Sequence, residues 1–239
     1  MSDEMIINAT TKSREPYAII GLPDVGLVGS IATAYMIEEL KMREIGYMDA
    51  DIYHPLIIVK NGEIKRPIRL YEKDNIIAVT SDMPVTPAIA VDFAKVLINW
   101  LKDLKPRLII NVTGIPVQNR ISIEKPEVLA LQTNYTNKIN NVRAFNDGFI
   151  MGTYASIIKE CYNNNLPSLT LLAQTYLNFP DPAAAMSVLN VINELLKINI
   201  NLKRLEEEAE IIKLKTRELM KQTESAITKS KVGVPSIYR

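Results

Sequence analysis

The sequence predicts an α/β fold, a three-layer α/β/α sandwich with a mixed, largely parallel central sheet and a C-terminal helical extension. Short apolar runs such as Tyr17–Gly21 and 108–112 are bounded by glycine or proline, which indicates buried strands. Amphipathic segments of helical period, such as 86–104, lie between the runs. Strands that alternate with helices of this length are typical of a sheet covered by helices on both faces.

The predicted elements can be placed in order along the chain. Asn61 and Gly62 predict a tight hairpin turn inside the strand region 45–79, and the hairpins of this region make the sheet mixed. Pro106 ends the helix over 86–104. The elements outside the hairpin region are a strand at Tyr17–Gly21, a helix at 31–40, a helix at 86–104, a strand at 108–112, a strand at 128–132, a helix at 149–162 and a strand at 168–173.

From Asp181 the pattern changes to helix. Asp181 followed by Pro182 is typical of a helix start, and helix is predicted to about residue 228. Two asparagines at 199–201 weaken this helix, and the sequence leaves open whether it breaks there. Spacings of three and four residues define a heptad seam, which includes Leu202, Leu205, Ala209, Ile212 and Leu219. The helix after Asn201 would be roughly 40 Å long and is too polar for a core. It therefore needs another helix, another protomer or its own domain as a partner.

Length and composition fit one large domain with an appendage. We expect a flexible N-terminus (1–15), an α/β core domain (16–198), a heptad-patterned helix (199–229) and a flexible tail (230–239). Lys and Arg number 28 and Asp and Glu 27, so a net charge of +1 indicates no nucleic-acid partner. Without a signal segment or a long apolar run, the chain is expected to be cytoplasmic, with no membrane partner.

The loop at 21–30 joins the first strand to the first helix and is rich in glycine. Gly21, Gly26 and Gly29, followed by Ser30, could let backbone N–H groups approach an anion at a helix N-terminus. The loop has no P-loop lysine, its glycine spacing is not that of a dinucleotide fingerprint, and Asp24 would repel a phosphate. Two interpretations stay open, a ligand loop or a set of glycines that permits tight packing or an oligomer contact.

Residues for catalysis are scarce. His54 is the single histidine, and no serine is placed to form a triad with it. The acidic residues show no metal-ligand spacing. The segments 80–82 and 113–114 lie just past predicted strand ends, where open α/β sheets bind ligands, but position alone is a weak argument. We therefore predict no catalytic residues, no metal and no cofactor.

The last three residues, Ile237, Tyr238 and Arg239, form a hydrophobic–tyrosine–any-residue ending. The preceding residues have no helical or strand pattern, so the tail can enter a pocket on another protein. The terminal carboxylate can meet a lysine or backbone N–H groups, the tyrosine can fill a slot, and Ile237 adds apolar burial. The sequence therefore predicts a docking peptide at these three residues.

Several segments together resemble one known family. GLPDVGLVGS at 21–30 is similar to the N-terminal signature of the proteasome assembly chaperone family, second-subunit type. LLAQT at 171–175, followed by PDPAAA at 180–185, is similar to its second signature, and GFIMG at 148–152 also fits. The likeness spans about residues 17–214.

The resemblance implies a phosphorylase-like α/β core, a homo-oligomer such as a tetramer or pentamer, and binding to α-subunits of the 20S proteasome. It also implies that Ile237, Tyr238 and Arg239 dock between adjacent α-subunits. The leading hypothesis is a non-enzymatic, ATP-independent assembly chaperone or activator. The alternative is a small-molecule enzyme that uses the 21–30 loop, because relatives have been labelled ATP-grasp-type carboxylate–amine ligases and the fold resembles phosphorylases.

Overall fold

The computed structural model describes residues 5–49, 57–140 and 142–212. Its strands are β1 (Ile6–Ala9), β2 (Tyr17–Gly21), β3 (Arg43–Asp49), β4 (Ile58–Lys60), β5 (Glu63–Lys65), β6 (Ile68–Lys73), β7 (Ile76–Ser81), β8 (Leu108–Pro116), β9 (Val128–Thr133), β10 (Arg143–Ala144) and β11 (Ser168–Thr175). Its helices are α1 (Val28–Glu39), α2 (Ala90–Asp103), α3 (Gly152–Asn163), α4 (Pro182–Leu196) and α5 (203–212). In these residues no helix combines the length and apolarity needed to cross a membrane.

Nine strands form one mixed sheet in the order β1-β3-β6-β7-β2-β8-β11-β9-β10. Its centre, β7-β2-β8-β11, is parallel. The pairs β1-β3, β3-β6, β6-β7 and β9-β11 are antiparallel. The predicted α/β class with a mixed sheet is confirmed, and the carboxyl ends of the central strands meet at one edge, which we call the carboxyl edge.

Helices cover both faces of the sheet and create two cores. On one face α2 and α3 pack on the sheet, and Phe93 and Leu97 of α2 are fully buried there. On the other face α1 and α4 bury residues such as Met36 and Val188. Because the central strands are covered twice, they read as continuous apolar runs, which is why the sequence predicts them well.

A two-stranded hairpin, β4-β5, stands apart from the main sheet. Asn61 and Gly62 form its turn with φ of 52° and 79°. Positive φ at both central residues is typical of the type I′ hairpin turn. The predicted hairpin is therefore present at the predicted turn.

The N-terminal segment contains a strand. The sequence predicts a flexible segment at residues 1–15, but β1 pairs antiparallel with β3 from Ile6 opposite Asp49 to Ala9 opposite Gly46. Ile7 and Ala9 pack against the core beneath α2. Exposed and half-buried residues alternate along β1, as expected for a strand, but over only four residues. A pattern this short in a mostly polar segment does not predict a strand from the sequence.

The C-terminal helical region is interrupted after α4. The backbone of Lys197 adopts the left-handed conformation, with φ of 53°. The Asn193 side chain accepts a hydrogen bond from the Ile200 N–H at 2.9 Å and donates one to the Ile200 carbonyl at 3.1 Å. Asn201 then accepts from the Lys203 N–H at 3.1 Å, at the start of α5. Asparagine side chains that bond nearby backbone groups compete with helix, which explains the break around 199–201.

Candidate functional site

The glycine loop leaves β2 at the carboxyl edge, where α/β folds usually bind ligands. The sequence predicts that this loop either binds a ligand or uses its glycines for tight packing or an oligomer contact. The atoms that surround Gly21, Gly26 and Gly29 distinguish a ligand loop from tight packing. A Cβ at Gly21 would overlap Gly29 and Thr33. A Cβ at Gly26, where φ is 64°, would overlap the Thr175 side chain.

Gly29 is enclosed in the same way. A Cβ there would overlap the Val112 carbonyl oxygen and approach the Tyr154 hydroxyl to 2.7 Å. The three glycines therefore allow β2, β8, β11 and α1 to approach one another closely. The space that a phosphate cradle would need on these glycine faces is filled by the protein's own atoms.

Hydrogen bonds also tie the loop to its neighbours. The Leu22 N–H donates to the Tyr154 hydroxyl at 2.8 Å, and this hydroxyl donates to the Val112 carbonyl at 2.5 Å. The Asp24 carboxylate accepts from the Thr113 hydroxyl at 2.5 Å. Burial raises the pKa of Tyr154 far above its ordinary value, so this phenol stays protonated and acts as a structural bridge.

Ser30 behaves differently from the other predicted loop residues. Its Oγ is buried and has no hydrogen-bond partner in the described part of the chain. Of the predicted set, Gly21, Gly26 and Gly29 line packed interior contacts, and Asp24 is partnered by a threonine hydroxyl. The structure thus brings the predicted loop residues together, in a compact junction.

A buried ion pair next to this loop was missed by sequence reasoning. Asp181 accepts from Arg120 Nε at 2.6 Å and from Nη2 at 2.8 Å, and both side chains are at most 5% exposed. The same carboxylate accepts from the Ala184 N–H at the start of α4 and from the Thr175 hydroxyl, both at 3.1 Å. The Asp181 N–H donates to the Gly26 carbonyl at 2.9 Å. Asp181 therefore joins the glycine loop, β11 and α4.

Two clefts open on either side of Arg120 and Tyr176. One, of about 460 Å³, is lined largely by apolar residues of the segments that follow β8 and β11, including Pro116, Leu177 and Phe179. The other, of about 380 Å³, lies between the α4 N-terminus and α5. Arg120 stacks over the Tyr176 ring at 5.0 Å from its centroid and so separates the clefts.

Ser81 and Asp82, which follow β7 at the carboxyl edge, are engaged within the protein. The Ser81 hydroxyl donates to the Met83 carbonyl at 2.6 Å, and Asp82 pairs with Arg69 at 2.6 Å and Lys60 at 3.4 Å. Within the described ranges, no group of three or more His, Cys, Asp and Glu side chains could hold a metal ion. These contacts give the predicted ligand positions at 80–82 a structural role.

Several large apolar side chains are exposed instead. Phe149 is 84% exposed and Met151 76% exposed in the segment before α3, and Leu177 is 64% exposed after β11. Val59 and Ile64 are cross-strand partners on the β4-β5 hairpin and are likewise exposed. Exposed apolar surface of this kind is typical of protein–protein contacts.

The start of the predicted seam belongs to the described residues, whereas the predicted tail does not. Leu205 is fully buried and Ala209 nearly so, while Leu202 and Ile212 are half-buried. Leu205 and Leu202 pack with the α1 and α4 core, so the beginning of the seam contacts its own domain. Leu219 and the docking tail Ile237, Tyr238 and Arg239 lie outside the described residues, as does His54.

The chain is similar to several archaeal proteins over almost its whole length. It is 28% identical over 238 residues to the uncharacterized protein MJ0106 of Methanocaldococcus jannaschii, with 98% of each chain covered. The crystal structure of Pyrococcus furiosus PbaA, described as an archaeal homolog of proteasome-assembly chaperone, matches with a TM-score of 0.81 and 28% identity over 99% of this chain and 100% of PbaA.

Pyrococcus furiosus PbaB, described as an archaeal proteasome activator, matches with a TM-score of 0.78 over 93% of this chain and 99% of PbaB. Its 23% identity makes this a likeness of fold. The model of the PAC2 family matches residues 18–220, which include the loop at 21–30, the strand β11 and the α4 start. The family resemblance predicted from these segments is confirmed: the chain belongs to the PAC2 family.

Proposed function

We propose that this protein is a non-enzymatic, ATP-independent assembly chaperone or activator of the 20S proteasome, and that it works in the cytoplasm. The observation that carries the proposal is the match to PbaA, which is 28% identical over 99% of this chain. Membership of the PAC2 family over residues 18–220 supports it. The exposed apolar residues around the carboxyl edge are consistent with a protein that acts through contacts with other proteins.

The proposed anchor is the tail Ile237, Tyr238 and Arg239. It would enter the pockets between adjacent α-subunits of the 20S α-ring. The carboxylate of Arg239 would pair with a lysine or backbone N–H groups, and Tyr238 would bury its ring while its hydroxyl keeps a hydrogen bond. The Arg239 side chain is not part of this contact.

A homo-oligomer, such as a tetramer or pentamer, would present several tails to one ring. Linked tails bind with an avidity roughly 10²–10⁴ times that of one tail, so each can be weak alone. The helical seam beyond α5, including Leu219, would cluster or project the tails. Ile212 and Leu202 are half-buried at the start of this seam.

The packing of the glycine loop supports the part of the proposal that assigns this protein no catalytic residues, no metal and no cofactor. The enzyme alternative, a carboxylate–amine ligase or a phosphorylase-like transferase, needs a ligand at the 21–30 loop. The inward faces of Gly21, Gly26 and Gly29 contact protein atoms, and Asp24 adds a carboxylate that repels phosphate. A ligand there would have to displace these contacts.

Capture of 20S particles and of free α-rings tests the proposal. Three forms of the chain are compared: intact, ending at Ser236, and Tyr238→Ala. We expect the intact chain to capture α-rings and both altered forms to lose capture while they keep their fold and oligomeric state. Arg239→Ala is the matched control and should still bind, because it retains the terminal carboxylate. Equal capture by the truncated and intact chains would refute the tail as the anchor.

A ligand screen tests the enzyme alternative separately. The melting temperature is measured with ATP, phosphate and nucleosides. A ligand at a hundred times its Kd would add about 2.7 kcal/mol to the free energy of unfolding. A rise that is lost on Asp181→Asn or a loop substitution would place a ligand at this junction and contradict the non-enzymatic proposal.

A further inference from the structure

A strongly basic depression lies at the opposite edge of the sheet from the glycine loop. It has a volume of about 460 Å³ and is lined only by charged or polar residues. The lining comes from the β1-β2 connection, the α1-β3 turn and the β6-β7 turn. Its lining residues are Lys12, Ser13, Arg14, Lys41, Arg43, Glu72, Lys73, Asp74 and Asn75. Five cations therefore face two carboxylates, in a chain whose overall net charge is +1.

Most of these cations have no carboxylate partner. Every other arginine that the structure describes is ion-paired within the chain, but the Arg14 side chain is not. Lys12, Lys41 and Lys73 also have no ion-pair partner among the described residues. Four of the five cations at this site therefore have no ion-pair partner among the described residues, and unpaired lysines such as Lys95 and Lys138 also lie elsewhere on the surface.

Glu72 holds the three segments in place from below. It accepts from the Ser13 N–H at 3.2 Å, from the Ser13 hydroxyl at 2.5 Å and from the Thr11 hydroxyl, and it pairs with Arg43 at 3.1 Å. Burial raises the pKa of Glu72, but these hydrogen bonds and the Arg43 charge outweigh it and hold the pKa below its ordinary value. The Glu72 carboxylate is thus engaged within the protein, and it holds together backbone segments that carry the exposed cations.

We propose that this depression is a docking surface for an acidic segment of a partner protein. Carboxylates are the groups that exposed arginine and lysine pair with best on proteins, and arginine adds bidentate geometry. Among the described residues, no aromatic side chain lines the depression, so these residues offer no stacking platform for single-stranded nucleic acid. The described lining contains no apolar residue either, so it gives a lipid chain or an aromatic cofactor nothing to contact.

The surface lies away from the carboxyl edge of the sheet. The last described residue, Ile212, lines a cleft with Asp181 at the carboxyl edge, whereas the basic depression lies where β2 and β7 begin. The inference does not rest on the proposed function. A partner with an acidic segment would be held at a second point on the molecule.

Fluorescence anisotropy with a fluorescein-labelled poly-glutamate peptide tests the proposal on the full chain. The test variant is Arg14→Glu with Lys41→Glu, two exposed residues without ion pairs. The matched control is Lys95→Glu with Lys138→Glu, which changes the net charge equally at exposed positions elsewhere. Circular dichroism and the melting temperature confirm that both variants fold.

We expect the test variant to bind the peptide about tenfold more weakly than the intact chain, since two exposed attractive contacts are replaced by repulsive ones. The control should stay within about twofold, and added salt should weaken all binding. Equal losses in test and control would show that only net charge matters and would overturn the proposal. Oligo-thymidine or inorganic polyphosphate that binds more tightly than the peptide, and is lost in the test variant, would also overturn it by assigning the surface to another anion.

Discussion

Replacing Asp181 by asparagine tests the structural role assigned to the buried ion pair. Asparagine has the same shape and is an equally good helix N-cap, so the bond to the Ala184 N–H at the start of α4 can be kept. What is lost is the negative charge that faces Arg120 at 2.6 and 2.8 Å. The variant therefore isolates the charge of Asp181 from its capping role.

The expected loss follows from the burial of both partners. The Arg120 side chain is 5% exposed and that of Asp181 is 2% exposed, so water cannot replace the missing carboxylate. Breaking a buried pair and leaving one charge uncompensated costs about 3–5 kcal/mol. For a chain of this size each kcal/mol corresponds to about 2–4 °C, so the melting temperature should fall by roughly 6–20 °C.

Urea unfolding followed by circular dichroism measures this loss, at several protein concentrations because an oligomer would be stabilised by mass action. Glu127→Gln is the control, since its pair with Arg143 at 3.2 Å is 41% and 67% exposed. That variant should lose less than about 1 kcal/mol.

A double variant, Arg120→Met with Asp181→Asn, leaves no unpaired charge and should lose less than the two single variants added together. If Asp181→Asn costs no more than Glu127→Gln, the pair does not stabilise the junction of loop, strand and helix. Additive losses in the double variant would likewise mean that the two side chains are energetically independent.

Three further predictions concern the same region and its neighbours. Gly26→Ala should destabilise the protein by about 1–3 kcal/mol more than Gly62→Ala in urea unfolding, because both positions have positive φ but only the methyl at Gly26 would overlap a neighbour; equal losses would mean that the loop is roomy. Tyr154→Phe leaves the buried Leu22 N–H and Val112 carbonyl without their hydroxyl partner and should lower the free energy of unfolding by about 1–3 kcal/mol. Tyr162→Phe, at a site 66% exposed, should be nearly neutral. Burial raises the pKa of Cys161 to about 11, so the thiol should react with Ellman's reagent at mildly alkaline pH only after unfolding. Rapid labelling of the folded protein would contradict that burial.

Much of the sheet could be predicted because its signals are local. The strand Tyr17–Gly21 matches the predicted run residue for residue, and the start of α4 follows from a capping aspartate and a proline at the first helical position. The hairpin at Asn61 and Gly62 is specified by the turn residues themselves. Each of these elements is set by neighbours a few residues apart.

The unpredicted features depend on distant parts of the chain. Arg120 and Asp181 are 61 positions apart, and neither has a sequence neighbour that marks it as buried. Periodicity predicts that Leu205 lies on an apolar stripe, but only the fold shows that α1 and α4 cover it. The Leu205 result matters for experiments, because Leu205→Asp would place a charge in the domain's own core. A loss of oligomer in that variant would not locate an interface between protomers.

The same packing bears on what kind of function the fold can perform. In open α/β sheets the loops at the carboxyl edge usually form the ligand site. Here the Tyr154 hydroxyl fills the space beside Gly29, and the Asp181 carboxylate accepts hydrogen bonds from Arg120, Thr175 and the start of α4. Polar groups that are satisfied internally stabilise the junction but are not available to a substrate. The exposed groups of the described chain include apolar side chains around this edge and unpaired cations at the other, and both kinds of group suit contacts with proteins.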